Sequence, residues 1–157
     1  MQAIVCVSEN WGIGLEGDLL FHLSADMKRF RALTIGHAVI LGSRTLKTFP
    51  GGKPLPGRRN IVLTHSREPI EGAELAHTRA EALALAGPDA AVIGGASVYS
   101  LLLPDCDRVR VTKVFAAPPA DSFFPNLDNH PDWRRESESE IFEENGFRFQ
   151  FIDYVKK

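Results

Sequence analysis

Cysteine is scarce in this sequence. Cys6 and Cys106 are the only two in 157 residues, and Cys6 lies inside an apolar run, so a disulfide framework is not indicated and two buried thiols in a reducing compartment are expected. The five histidines are scattered without the paired spacing of metal ligands, so no metal site is expected. Positive charge is not in surplus either. Eighteen Lys and Arg against twenty Asp and Glu leave a formal net charge of -2, which provides no broad basic field to draw in nucleic acid or an anionic membrane. No apolar run approaches the roughly 20 residues that a spanning helix needs. The opening Met1–Val7 lacks a basic leader and is too short for a signal peptide, so a cytoplasmic location is expected. No repeat, low-complexity tract or Ser/Gly-rich linker divides the chain, which reads as one domain.

What the sequence does have is an alternation of short apolar runs with helical segments. Ala3–Val7, Ala38–Leu41, Asn60–Thr64, Ala91–Gly94 and Val109–Val114 are each bounded by turn residues or charges, and this pattern predicts an α/β fold with a largely parallel sheet. Helix starts are signalled at Ser24, ahead of Ala25–Leu33, and at Thr78 with Glu81 at capping-box spacing; a third helix is expected over about Ser97–Leu103. Phe147, Phe149 and Phe151 alternate with Arg148 and Gln150 as in a strand with one buried face. Asn145-Gly146 ahead of them predicts a closing antiparallel hairpin.

Gly12-Ile13-Gly14-Leu15-Glu16-Gly17 matches the G-x-G-x-x-G dinucleotide fingerprint letter for letter, yet it fails the physical test for one. Those glycines must open a helix directly, and here Asp18–Leu23 intervenes before Ser24, so Gly12–Leu23 reads as a loop. Asp26 falls in the first turn of the Ser24 helix, where the macrodipole favours an acid. Phe30 shares its face and Met27 adjoins it, so burial of that face would perturb the carboxyl's proton affinity. Gly42-Ser43-Arg44-Thr45 and Thr64-His65-Ser66-Arg67 follow two strands, where open α/β sheets place ligands and where cations and helix N-termini attract phosphate. An ordinary strand–helix connection with a solvated arginine would look the same. No acid ends the second strand to hold a ribose 2′-hydroxyl, and Arg44 suits a 2′-phosphate instead. Ile93-Gly94-Gly95-Ala96-Ser97-Val98-Tyr99 joins a buried strand to a helix, and Pro54-Leu55-Pro56-Gly57-Arg58-Arg59 is a rigid turn carrying two cations.

Taken together and in this order, these segments resemble dihydrofolate reductase across essentially the whole chain. The resemblance rests on Gly12-Ile13-Gly14, Leu20-Phe21-His22-Leu23 leading to Asp26, Gly42-x-Arg44-Thr45, Pro54–Arg58, Ile93-Gly94-Gly95-x-x-Val98-Tyr99, Thr112, and Asp121 followed by Phe124-Pro125. It implies a twisted, eight-stranded, mostly parallel sheet with an antiparallel C-terminal strand and flanking helices, with residues about 37–87 forming an adenosine-binding subdomain. The implied activity is NADPH-dependent reduction of 7,8-dihydrofolate to tetrahydrofolate for one-carbon metabolism and thymidylate synthesis. The implied partners are dihydrofolate and antifolate inhibitors, with neither nucleic acid nor membrane, and the protein is expected to act as a monomer.

The resemblance also implies residue roles. Asp26 binds the pterin, Thr112 hydrogen-bonds to Asp26, and Ile4 and Ile93 lend backbone carbonyls. Met27, Phe30, Phe49 and Leu55 enclose the aminobenzoyl group, and Arg58 pairs with the glutamate α-carboxylate. Arg44, Thr64, His65 and Ser66 meet the 2′-phosphate end of the cofactor, and Gly42, Thr45 and Gly94 through Val98 its pyrophosphate and ribose. Cys6, Ile13, Gly14, Leu19 and Tyr99 line the nicotinamide pocket, and Gly94-Gly95 carries a cis peptide. Leu20-Phe21 replaces the family's frequent Pro-Trp, so Phe21, placed in the catalytic set, brings no indole N–H to hold a water. Ser43 stands where many members have another arginine, and Ser24 where many have proline. Reductases of the same fold acting on other pterin-like or pyrimidine substrates, such as those of the riboflavin pathway, are the competing reading, against which Asp26 and Arg58 argue. A binding module without turnover is the competitor from another class.

Overall fold

Each apolar run stands as a strand because β-branched residues pack well on a pleated, doubly covered surface. The computed structural model describes Met1–Lys157. Its strands are β1 (Gln2–Val7), β2 (Gly12–Leu15), β3 (Asp18–Leu19), β4 (Ala38–Gly42), β5 (Arg59–Leu63), β6 (Ala73–Ala76), β7 (Ala91–Gly94), β8 (Arg108–Val114), β9 (Ser122–Phe123), β10 (Trp133–Glu138), β11 (Phe142–Glu144) and β12 (Phe147–Lys156). The helices are α1 (Ser24–Thr34), α2 (Ser43–Leu46), α3 (Arg79–Ala86) and α4 (Ala96–Leu102). Eight strands lie in line in the order β10-β12-β8-β1-β7-β4-β5-β6, with short β11 paired to β12. Pairs from β8 across to β6 are parallel, and β12 runs antiparallel between β8 and β10. That is the expected sheet with its reversed C-terminal strand.

Alternation along the strands divides the core. Ile40, Ile61 and Val92 face Ala82 of α3 and Val98, Tyr99 and Leu102 of α4. Val39, Leu41, Val62, Ala91 and Ile93 face the other way, toward Leu46 of α2 and Phe30 and Leu33 of α1. No helix is long and apolar enough to cross a membrane.

Several local expectations are corrected. Gly12–Leu23 is not a plain loop: β2 and β3 form a hairpin that joins β9 in a separate three-stranded sheet, so Gly12 and Gly14 of the false fingerprint sit in a strand and Gly17 in the turn at positive φ. Ser24 is not the cap of α1 but its first residue. Leu23 occupies the cap position, and the free amides are satisfied by Glu144, far along the chain. The helix expected to start at Ser97 begins at Ala96, and Leu103–Asp105 ends it as a 3₁₀ turn containing Pro104. The Thr78 cap forms as predicted, its hydroxyl accepting from the Glu81 amide at 3.1 Å, although Glu81 reaches back to the amide of His77 instead of Thr78. The β11–β12 hairpin turns on Asn145 and Gly146, both at positive φ, as the Asn-Gly pair requires.

Candidate active site

The carboxyl ends of β1, β4, β5 and β7 open onto a cleft of about 880 Å³. Its lining includes Cys6 from β1, Gly42, Arg44 and Thr45 from the β4–α2 junction, Thr64 and His65 after β5, and Ile93 through Tyr99 from the β7–α4 junction. The β2–β3 hairpin adds Ile13, Gly14 and Leu19. Two strand-end clusters separated by 20 residues in sequence therefore do meet, because β4 and β5 are parallel neighbours and end together. Ser66 does not line the cleft; its hydroxyl accepts from the amide of Glu68.

Gly94 and Gly95 are joined by a cis peptide, and Gly94 has φ +132°. A Cβ on Gly95 would stand 3.2 Å from Thr45 Oγ1, a tight contact, so glycine here eases the close approach of the β7–α4 and β4–α2 connections. The amides opening α2 and α4 have no side-chain cap. Free N–H groups, hydroxyls and the unpaired Arg44 make the cleft chemically suited to a phosphate-rich ligand.

The hairpin is latched over the cleft by Asp121, whose carboxylate accepts from the Glu16 amide at 2.9 Å while its own amide donates to Gly14 O at 2.9 Å. Deeper in, Tyr99 donates its hydroxyl to Ile4 O at 2.6 Å. The carbonyl that the resemblance assigns to the pterin thus already has one partner and one lone pair left.

Ile93 belongs both to the cleft and to an apolar cluster shared with Ile4, against which Phe30, Phe49 and Leu55 pack. Above that cluster α1 carries Asp26, with Met27 53% exposed beside it. Thr112, 3% exposed on β8, donates to Asp26 Oδ1 at 2.6 Å. Burial pushes the Asp26 carboxyl above its usual value; Thr112 and Arg29 pull it down, and Glu144 adds to the rise. Cys6, the register neighbour of Thr112, is held well above the usual thiol value by burial and then by Asp26, so it is a neutral wall and not a thiolate.

Arg58 lies in the turn directly ahead of β5, outside the lining of the cleft. Its Nε donates to Pro56 O at 2.9 Å and its Nη1 to Thr34 Oγ1 at 3.2 Å, and no carboxylate pairs with it. Partial burial and then Arg31 lower its proton affinity, which marks a cation without a counter-ion. Phe21 lies outside the cleft, 5% exposed and edge-on to Phe147 at 5.2 Å.

Some residues at or beside the cleft carry no sequence signal of a role there, Thr78 being marked only as a helix cap. Asn60, 2% exposed, accepts from the Leu55 amide at 3.0 Å and donates to Leu55 O and Arg58 O, locking the turn that presents Leu55 and Arg58. His77, Thr78 and Arg79 line the cleft after β6, with His77 Nδ1 2.9 Å from Thr64 O. A strand recognised at Ala73–Ala76 would have pointed to them, since it ends beside β5.

A profile of the family described as dihydrofolate reductase matches residues 1–156. The dihydrofolate reductase of Mycobacterium tuberculosis (strain H37Rv) is 38% identical over 147 residues, covering 90% of this chain and 89% of that protein. That of Neisseria meningitidis serogroup B is 37% identical over 157 residues, covering 98% and 96%. A solved dihydrofolate reductase from Enterococcus faecalis, complexed with NADP(H) and RAB-propyl, superposes with a TM-score of 0.88 at 32% identity, covering 99% of this chain and 95% of that one. The chain belongs to the dihydrofolate reductase family.

Proposed function

We propose that the enzyme reduces 7,8-dihydrofolate to 5,6,7,8-tetrahydrofolate by hydride transfer to C6 and protonation of N5, with NADPH as cofactor, in support of one-carbon metabolism and thymidylate synthesis. The observation that carries this reading is a carboxyl raised by burial, held by Thr112 and set beside a cleft suited to a dinucleotide. NADPH, when bound, supplies the hydride.

Asp26 holds the pterin by its amino group and ring nitrogen, and Thr112 fixes the carboxylate's orientation. The ring then presents C6 toward the nicotinamide pocket of Cys6, Ile13, Gly14, Leu19 and Tyr99. Ionised Asp26 raises the proton affinity of N5 by its field, and solvent delivers the proton. Ile4 and Ile93 offer carbonyls to the ring, Met27, Phe30, Phe49 and Leu55 cover the aminobenzoyl group, and Arg58 pairs with the α-carboxylate. Phe21 has no polar hydrogen, so it supports the site as packing. The β2–β3 hairpin, latched by Asp121, excludes bulk water over the reacting atoms.

Gly42, Arg44, Thr45, Thr64 and His65, with Gly94 through Val98, bind the rest of the cofactor, and Ser66, turned to the Glu68 amide outside the cleft, is left out of that set. Residues about 37–87 act as its adenosine-binding subdomain. The deciding experiment is the fall in absorbance at 340 nm when the protein meets NADPH and dihydrofolate together. No fall above either reagent alone would overturn the proposal.

A further inference from the structure

Arg29 follows Asp26 by three residues, so the two share a face of α1 one turn apart. Its Nη2 donates to Asp153 Oδ1 at 2.8 Å, and Arg110 Nη1 donates to Oδ2 of the same carboxylate at 2.7 Å. The Arg29 and Asp153 side chains are 22% and 14% exposed, largely withdrawn from water. The Arg29 guanidinium carbon stands 4.5 Å from the centroid of Phe151, and Phe151 is the register partner of Thr112. Arg29 is therefore fastened to the strand pair that carries the hydrogen-bond donor of Asp26.

The charge count matters as much as the geometry. Two guanidiniums share one carboxylate, so the cluster keeps one unit of positive charge beside α1. From the other elements, Asp26 faces Cys6 of β1 and Tyr99 of α4, both held protonated by burial, and Glu144 of β11, whose oxygens are engaged by Ser24 and Ala25. Arg29 is the cation that opposes burial and Glu144 in setting the ionisation of Asp26.

We propose that Arg29, tethered by Asp153, is a positioning residue for the Asp26–Thr112 pair and that its charge sets the pH range over which the enzyme reduces its substrate. The inference rests on the proposed role of Asp26. Removing a nearby cation strengthens proton binding by any group in the site, whether the proton resides on Asp26 or on N5 of the bound pterin. The direction of the effect is therefore the same under either assignment.

The test is the pH dependence of single-turnover reduction at saturating NADPH and dihydrofolate, for the wild type, Arg29→Met, Arg29→Lys and Asp26→Asn. Arg29→Gln serves as a second neutral variant where Met does not fold. In the neutral variants the alkaline limb should move to higher pH by roughly half a pH unit or more. Arg29→Lys, which keeps the charge, should stay close to the wild-type limb. A neutral variant with lowered thermal stability and an unmoved limb would reduce Arg29 to packing and overturn the proposal, as would a Lys variant displaced as far as Met. The two readings fail separately: an Asp26→Asn profile identical to wild type defeats the role of Asp26, whereas an altered Asp26→Asn profile with an unmoved Arg29→Met limb defeats only the role of Arg29.

Discussion

Glu144 caps a helix that begins 120 residues earlier: its carboxylate accepts from the Ser24 amide at 2.6 Å and the Ser24 hydroxyl at 2.8 Å, and it also takes the Ala25 amide at 3.1 Å. The C-terminal hairpin thereby supplies what the local sequence of α1 does not. The backbone and side-chain bonds from Ser24 hold the Glu144 carboxyl below its usual value.

A group with a depressed folded value contributes stability that is present above the unfolded value, about 4.3, and is lost as pH falls through the folded one. Glu144→Ala should therefore melt at a lower temperature than wild type at pH 7, with the gap closing as the pH falls below about 4. Thermal melts across pH 3–8 check this. A gap that persists undiminished in acid would mean that Glu144 contributes packing and not a charged cap.

The substrate end of the site carries its own prediction. Arg58 is held by Thr34 and Pro56 but has no counter-ion, which is the arrangement a carboxylate-bearing ligand completes. A charge-assisted bond of this kind is worth roughly 1.5–3 kcal/mol, so Arg58→Ala should weaken dihydrofolate binding about tenfold to a hundredfold and leave NADPH binding unchanged. Titrations with dihydrofolate and with a pterin lacking the glutamate tail separate the outcomes. Equal losses for both ligands would show that Arg58 does not meet the carboxylate.

The legibility of the fold followed burial on two faces. β4, β5 and β7 are covered above and below and are written as apolar runs, β8 alternates valine with Arg, Thr and Lys, and all four lay within a residue of where the sequence placed them. β10 reads Trp-Arg-Arg-Glu-Ser-Glu and exposes all but its first residue; it is a strand because β12 offers it a ladder, not because its side chains ask for one. β6 is likewise an edge strand, and β2 and β3 are short and rich in glycine and charge. Among the residues singled out from motifs, Gly42, Arg44, Thr45, Thr64, His65 and Ile93 through Tyr99 do line the cleft and Ser66 does not, whereas Asn60 and Glu144 were not singled out at all. Both act on backbone groups of other segments, and that pairing exists only once the chain has folded.

At the cofactor end, Arg44 lines the cleft with Thr64 and His65 and makes no ion pair within the protein. The wild type should accordingly favour NADPH over NADH in kcat/KM, and Arg44→Ala should reduce that ratio by about tenfold to a hundredfold, chiefly through KM. Steady-state kinetics with both cofactors decide it. An unchanged ratio in the variant would move the 2′-phosphate contact to other residues, among which His77 and Arg79 line the same cleft.

The last prediction concerns Asp26, whose carboxyl is raised chiefly by burial. A group raised in the folded state contributes stability that is fully present below its unfolded value and lost as pH rises through the folded one, so at neutral pH the ionised Asp26 is a cost to folding. Asp26→Asn removes that cost while keeping an oxygen to accept from Thr112 Oγ1, so the variant should fold, bind NADPH and melt no lower than wild type at pH 7. Its rate of reduction there should fall on the order of a hundredfold or more, because Asp26 is the carboxyl of the pocket that burial raises and Glu144, the other one nearby, is engaged by Ser24 and Ala25. Part of the loss should return in acid, where dihydrofolate protonated in solution no longer depends on the carboxylate while the rest of the site still sets the geometry of transfer. Melting curves at pH 5 and pH 7 and a pH–rate profile of the variant measure both halves. A variant that melts well below wild type at pH 7, or whose profile matches wild type in shape and height, would remove Asp26 from the role that its burial and its bond to Thr112 support.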